Sequence, residues 1–162
     1  MDLYYFDEAG SNLTPTISYA WQPKGERYQL PSSRRQNLTV LGFMDSHGER
    51  FLFEGAANGK VVAACMDAFA GQFTKKTVVI LDQASIHTRQ QVVGKIPQWK
   101  RQGLFLQFLP PYCPELNQIE ILWEFVKYYW LDLSAYEDME TLKDTLLDVL
   151  QNIGSKYLIT FT

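Results

Sequence analysis

Three acids in separate parts of this 162-residue sequence stand where chemistry can be placed. Asp7 follows the apolar run Leu3-Tyr4-Tyr5-Phe6, Asp82 follows Thr77-Val78-Val79-Ile80-Leu81, and Glu120 lies in a helical stretch. Each also reads as an ordinary acid of a turn, a cap or a solvated face. Asp82 opens Asp82-Gln83-Ala84-Ser85-Ile86-His87 after the most hydrophobic strand, where open sheets with crossover connections place their ligands. Glu120 borders the apolar stripe Leu116, Ile119, Trp123, Val126 and Trp130, and one turn on it meets Glu124, a like charge instead of a cation. Carboxylates that converge repel one another, so a cluster of these three implies a cation. An all-oxygen set favours magnesium or manganese. Two such ions can activate a water or hydroxyl and stabilise a leaving oxygen in phosphodiester displacement.

The elements that must position these acids follow from hydrophobic pattern. Strands are expected at 3–6, 17–21 and 38–44, with 49–54 returning as a hairpin partner around Asp45-Ser46-His47-Gly48. Val61, Val62, Cys65, Met66 and Phe69 recur at helical spacing, which predicts a helix over 59–72. Residues 77–81 read as a strand buried on both faces. A helix over 88–101, interrupted near Pro97, leads to a strand at 104–109, stopped by Pro110-Pro111. Helices at 115–130 and about 137–152 complete the chain. The order predicts one α/β domain over residues 1–162, a mixed sheet flanked by helices.

Composition narrows the classes. The chain is 46% hydrophobic and 20% charged, which excludes a disordered segment. No apolar run approaches the ~20 residues of a membrane span, and the start lacks a signal-peptide pattern. Cys65 and Cys113 lie far apart, which fits a reducing compartment and offers no structural zinc site; Cys113 has no base beside it. The net charge is −3, so any nucleic acid must be bound against the chain's own charge. Lys24, Arg27, Arg34 and Arg35 are candidates for lining a phosphate backbone near Asp7, and each is equally a solvated surface cation. Strand alternation turns Glu8 away from Asp7.

The segment Phe108-Leu109-Pro110-Pro111-Tyr112-Cys113-Pro114-Glu115-Leu116-Asn117-Gln118-Ile119-Glu120-Ile121-Leu122-Trp123 closely resembles the signature of DDE transposases of the bacterial insertion-sequence and Tc/mariner superfamily. Phe6-Asp7-Glu8-Ala9, Leu81-Asp82-Gln83-Ala84-Ser85-Ile86-His87 and Tyr19-Ala20-Trp21-Gln22-Pro23-Lys24-Gly25 resemble further blocks of that family. Gln83, Cys113 and Gln118 depart from its usual asparagine, serine and proline. The resemblance implies an RNase H-like, retroviral-integrase-like fold with a mixed five-stranded sheet. It makes Asp7, Asp82 and Glu120 both the catalytic residues and the ligands of two divalent cations, magnesium or manganese. It gives His87, in the middle block, a structural or DNA-positioning role.

The implied activity is metal-dependent DNA strand cleavage and strand transfer at transposon ends, with the ends and a target as DNA partners. A homodimer assembled on DNA and a bacterial cytoplasmic, nucleoid-associated location go with it. Relatives carry an N-terminal helix-turn-helix region; with a first strand at Leu3, that region is expected to be absent from this chain and supplied elsewhere. A catalytically silent RNase H-like module for DNA binding or assembly, and a generic metal-dependent nuclease, are the alternatives.

Overall fold

The structure, a computed structural model, describes residues 1–15, 23–25, 37–47, 50–111 and 113–159. The strand expected at 17–21 lies outside them. A five-stranded sheet is ordered β3-β2-β1-β4-β5, from β1 (Asp2–Ser11), β2 (Leu38–Asp45), β3 (Arg50–Glu54), β4 (Thr77–Leu81) and β5 (Leu104–Phe108). β2 and β3 form the expected antiparallel hairpin, with Met44 opposite Arg50. Asp45 Oδ1 accepts the His47 amide at 2.9 Å to start its turn. β1, β4 and β5 run parallel, in the registers Tyr5–Ile80 and Leu81–Phe108. The sheet is therefore mixed.

Backbone contacts divide the chain into two compact units, residues 1–9 with 39–120, and residues 10–38 with 121–162. The first holds the sheet and the helices α1 (Gly59–Ala70), α2 (Gln90–Val93) and α3 (Ile96–Arg101). Its core joins Tyr4 and Phe6 of β1, Leu41 and Phe43 of β2 and Val79 and Leu81 of β4 to Val62, Met66 and Phe69 of α1. Phe43 and Phe69 stack at 3.9 Å, and Tyr4 meets Phe69 edge-on at 5.1 Å. Asn58 caps α1 by accepting the Lys60 and Val61 amides. Asp67 of α1 pairs with Lys95 and accepts Trp99 Nε1–H at 2.9 Å, which satisfies the indole of a fully buried tryptophan.

Several expectations are corrected. β1 does not stop before Asp7 but continues to Ser11, so Asp7 is an interior strand residue. β4 is buried on one face only: Thr77, Val79 and Leu81 are buried, while Val78 and Ile80 are half-covered, because α1 packs on the face of Val79 and Leu81. The 88–101 helix is two short helices, and the break falls at Gly94-Lys95. Pro97 sits in the first turn of α3, where its missing N–H costs nothing.

The helix expected over 115–130 is also split. A 3₁₀ turn, Pro114–Leu116, is followed by Asn117 in extended conformation. α4 (Ile119–Phe125) then passes into a π-helical turn, Val126–Trp130. Leu116 is consequently outside the helix and exposed, whereas Ile119, Trp123 and Val126 are buried as the stripe requires.

The second unit contains the 3₁₀ turn Leu133–Tyr136 and α5 (Met139–Gln151), capped by Asp138, which accepts the Thr141 amide at 2.8 Å. Its buried residues include Leu122, Trp123, Leu131, Tyr136, Leu142 and Val149. Among the described residues no helix is long and apolar enough to cross a membrane.

Candidate active site

Parallel pairing sets the site. β1 and β4 are in register up to Tyr5 and Ile80, and the same register carried two residues on brings Asp7 level with Asp82. β4 ends at Leu81, so Asp82 begins the loop at the carboxyl end of a central strand. Its Oδ1 accepts the Ala84 amide at 2.9 Å and lies 2.6 Å from His87 Nδ1. The loop returns because His87 N–H donates to the Ala84 carbonyl, which turns the imidazole back toward the strand. Gly59 makes room for this loop: a Cβ there would stand 2.9 Å from Arg89 Cβ.

His87 is fully buried, with Phe6 against its ring at 5.4 Å. Its Nε2 lies 2.8 Å from Glu8 Oε2. Both ring nitrogens are therefore held by carboxylates, one from β1 and one from the loop after β4. Burial by itself would lower the His87 pKa, but the flanking Glu8 and Asp82 carboxylates outweigh it and hold the imidazole above its ordinary value. His87 therefore has no ring nitrogen left unengaged. Its role is to fix Asp82 and Glu8.

Asp7 is buried, and one carboxylate oxygen each from Asp7 and Asp82 and one ring nitrogen of His87 lie within 4.8 Å of one another. Glu120, half-buried in the first turn of α4, does not join that group at this distance, but its charge acts on the same point. Burial, followed by the charges of Glu120, Glu8 and Asp82, pushes the Asp7 carboxyl up to about 8. Asp7 and Asp82 converge, and Glu120 borders them.

Two amides hold this arrangement. Asn117 is buried; its Nδ2 donates to the Phe6 carbonyl at 3.1 Å, next to Asp7, and its own carbonyl accepts the Glu120 amide at 3.0 Å. One residue thus ties the start of α4 to β1. Gln83 Nε2 donates to the Leu109 carbonyl at 2.9 Å, which joins the Asp82 loop to the end of β5. The glutamine that departs from the usual asparagine still donates an amide hydrogen bond there.

The donor set suits a hard cation. The oxygens of Asp7, Asp82 and Glu120 match magnesium or manganese, while His87 has both nitrogens committed and is not a free ligand. The elevated Asp7 carboxyl is the expected state of a carboxyl that is buried and also surrounded by like charge.

The DDE superfamily endonuclease family matches residues 2–143. The chain belongs to that family. The chain is 37% identical over 65 residues to the uncharacterized protein y4pE/y4sA of Sinorhizobium fredii, a match covering 40% of this chain and 44% of that protein. Among solved structures, the Mos1 strand transfer complex superposes with a TM-score of 0.60 at 14% identity, over 92% of this chain and 46% of that one. The catalytic core domain of BIV integrase superposes with a TM-score of 0.55 at 14% identity, over 99% and 87%. The chain thus spans less than half the length of the curated relative and of the Mos1 chain. The fold is that of transposase and integrase catalytic cores, RNase H-like, as the resemblance implied.

Alternation along β1 turns Glu8 away from Asp7 and places it on the face of Phe6. That face is where His87 lies, so the same alternation rule contained the signal. Asn117 was visible only as part of the motif. Of the basic candidates, Lys24 is exposed in a turn closed by Gly25 at φ 97°, and Arg27, Arg34 and Arg35 lie outside the described residues.

Proposed function

We propose that this chain is the catalytic domain of a DNA transposase, which cleaves DNA strands at transposon ends and transfers them to a target. The observation that carries the reading is the Asp7 carboxyl, buried beside Asp82 and pushed up to about 8 by burial and by the Glu120, Glu8 and Asp82 charges. Burying a carboxyl among like charges costs stability unless a cation offsets it. Asp7, Asp82 and Glu120 would hold two divalent cations, which when bound supply nucleophile activation and charge stabilisation at the phosphodiester.

The chain's own residues position and hold. His87 and the Ala84 amide orient Asp82. Glu8 fixes the far side of the imidazole. Asn117 keeps the Glu120 turn against β1. In the first displacement, water attacks phosphorus and the bond to the 3′ oxygen breaks, which frees a 3′-hydroxyl. In the second, that hydroxyl attacks a target phosphodiester, whose own 3′ oxygen leaves. Holding the two reactants in one site supplies the proximity that such transfers need. A homodimer on DNA and a cytoplasmic, nucleoid-associated location belong to the same reading.

The test is manganese-dependent nicking of supercoiled DNA, followed by strand transfer with a substrate carrying a free 3′-hydroxyl. Asp82→Asn should abolish both at an unchanged melting temperature. Nicking retained in that variant would sink the assignment. Nicking without strand transfer would leave a generic nuclease.

A further inference from the structure

A second cleft lies wholly within the unit formed by residues 10–38 and 121–162 and encloses about 480 Å³. Ser11, Asn12, Thr14, Lys127 and Tyr136 line it. Thr14 Oγ1 is buried and has no hydrogen-bond partner among the described residues. A buried hydroxyl left in that state costs ~1–3 kcal/mol, so native proteins rarely keep one without a use. Asn12 turns Oδ1 to the Thr14 amide at 2.8 Å, which leaves its NH₂ to donate. Lys127 is half-buried and makes no ion pair among the described residues. It stands on the π-helical turn Val126–Trp130, a widened backbone that recurs at functional positions.

The polar part of the lining is of one chemical kind. It offers one ammonium together with hydroxyl and amide donors, and among the described residues no carboxylate. Such a set refuses a metal cation and suits a compact anion with several acceptor oxygens. In a chain of net charge −3, DNA must be met by local cations, and hydroxyl and amide donors hold phosphates without reading sequence. Ser11 is the last residue of β1.

We propose that the cleft holds a backbone phosphodiester of bound DNA, with charge from Lys127 and hydrogen bonds from Ser11 Oγ, Asn12 Nδ2 and Thr14 Oγ1. The proposal rests on DNA being the substrate. Lys127 neutralises one phosphate, and Thr14 gains the partner it lacks.

The experiment is fluorescence anisotropy of a labelled duplex with the whole chain, across about 50 to 200 mM salt. Lys127→Gln should weaken binding roughly 3- to 10-fold and make the slope of log affinity against log salt shallower by about one. Thr14→Val should weaken binding with the slope unchanged, while the melting temperature without DNA stays at or above that of the parent. Neither variant should alter manganese affinity at the carboxylates. Parental binding with an unchanged slope for Lys127→Gln overturns the phosphate site and leaves the proposed function standing. No duplex binding by the parent at low salt overturns both. Inorganic phosphate titrated alone is the remaining arm: saturable, Lys127-dependent phosphate binding without any Lys127 effect on the duplex assigns the cleft to a free anion and overturns the DNA reading.

Discussion

His87 Nε2 and Glu8 Oε2 meet at 2.8 Å across 79 residues of sequence on the face of Phe6, the imidazole fully buried and the carboxylate partly exposed. The other ring nitrogen reaches Asp82 at 2.6 Å, so a single imidazole braces β1 against the loop after β4. Groups behind a ligand commonly set its orientation and basicity, and removing one costs roughly 10- to 100-fold in metal affinity. Glu8→Gln keeps the shape and weakens the brace by removing its charge. It should lower manganese affinity about 10-fold, read by electron paramagnetic resonance, with a change in melting temperature of only a few degrees. Unchanged manganese affinity would show that Asp82 is held without it.

The Asp7 carboxyl makes stability depend on pH. Its pKa rises from the ordinary 3.8 to about 8 on folding, through burial first and then the Glu120, Glu8 and Asp82 charges. The folded state therefore binds the extra proton between those values. Metal-free stability should fall as pH rises from about 4 to about 8 and level off above, by an amount on the order of a few kcal/mol. Asp7→Asn should remove much of this slope in urea melts. In the parent at pH 7, magnesium or manganese binding should release about one proton, measured by calorimetry in buffers of different ionisation enthalpy. Binding with no proton release would mean that the cation does not meet Asp7.

The sequence was most readable where one local rule decided an element. The hairpin around Asp45, the helix opened by Asn58 and Gly59, and the β-branched run of β4 each carry their own signal. Asp7 and Asp82 were legible because apolar strands lead into them. The failures have a common cause in tertiary contact. Periodicity runs smoothly from 115 to 130, yet Asn117 leaves the helix to donate to the Phe6 carbonyl, an acceptor 111 residues away. β1 continues past Asp7 although polar residues follow. Lys127 and Thr14 share a cleft that no spacing joins.

Asn117 is one such contact that can be weighed. Replacing it with alanine removes the Nδ2 donor and leaves the buried Phe6 carbonyl without that bond. A loss of ~1–2 kcal/mol is expected in urea denaturation, since Asn117 Oδ1 has no partner among the described residues and its removal returns part of the cost. Glu120 then loses its tie to β1, so manganese affinity should fall along with stability. Asn117→Asp keeps the size but replaces the donor with an acceptor facing a carbonyl and should be worse than alanine on both measures. An aspartate variant as stable as the parent would show that the Phe6 bond does not hold α4 in place.

Gly59 tests whether the His87 loop is held by packing as well as by hydrogen bonds. A Cβ at 59 would stand 2.9 Å from Arg89 Cβ and 3.4 Å from the Ile86 carbonyl, so the loop over 86–89 must move outward. Alanine at a helix start would otherwise be neutral or favourable in propensity. Overpacking of this kind costs ~1–3 kcal/mol. Gly59→Ala should therefore lower the melting temperature. It should also loosen His87 from Glu8 and Asp82, seen as a shift and broadening of the His87 imidazole resonances. Truncating Arg89 to glycine in the same background removes the atoms that clash and should restore the His87 signals. Gly59→Ala at parental stability with unshifted imidazole resonances would mean that the loop yields freely and that the two carboxylates alone position the ring.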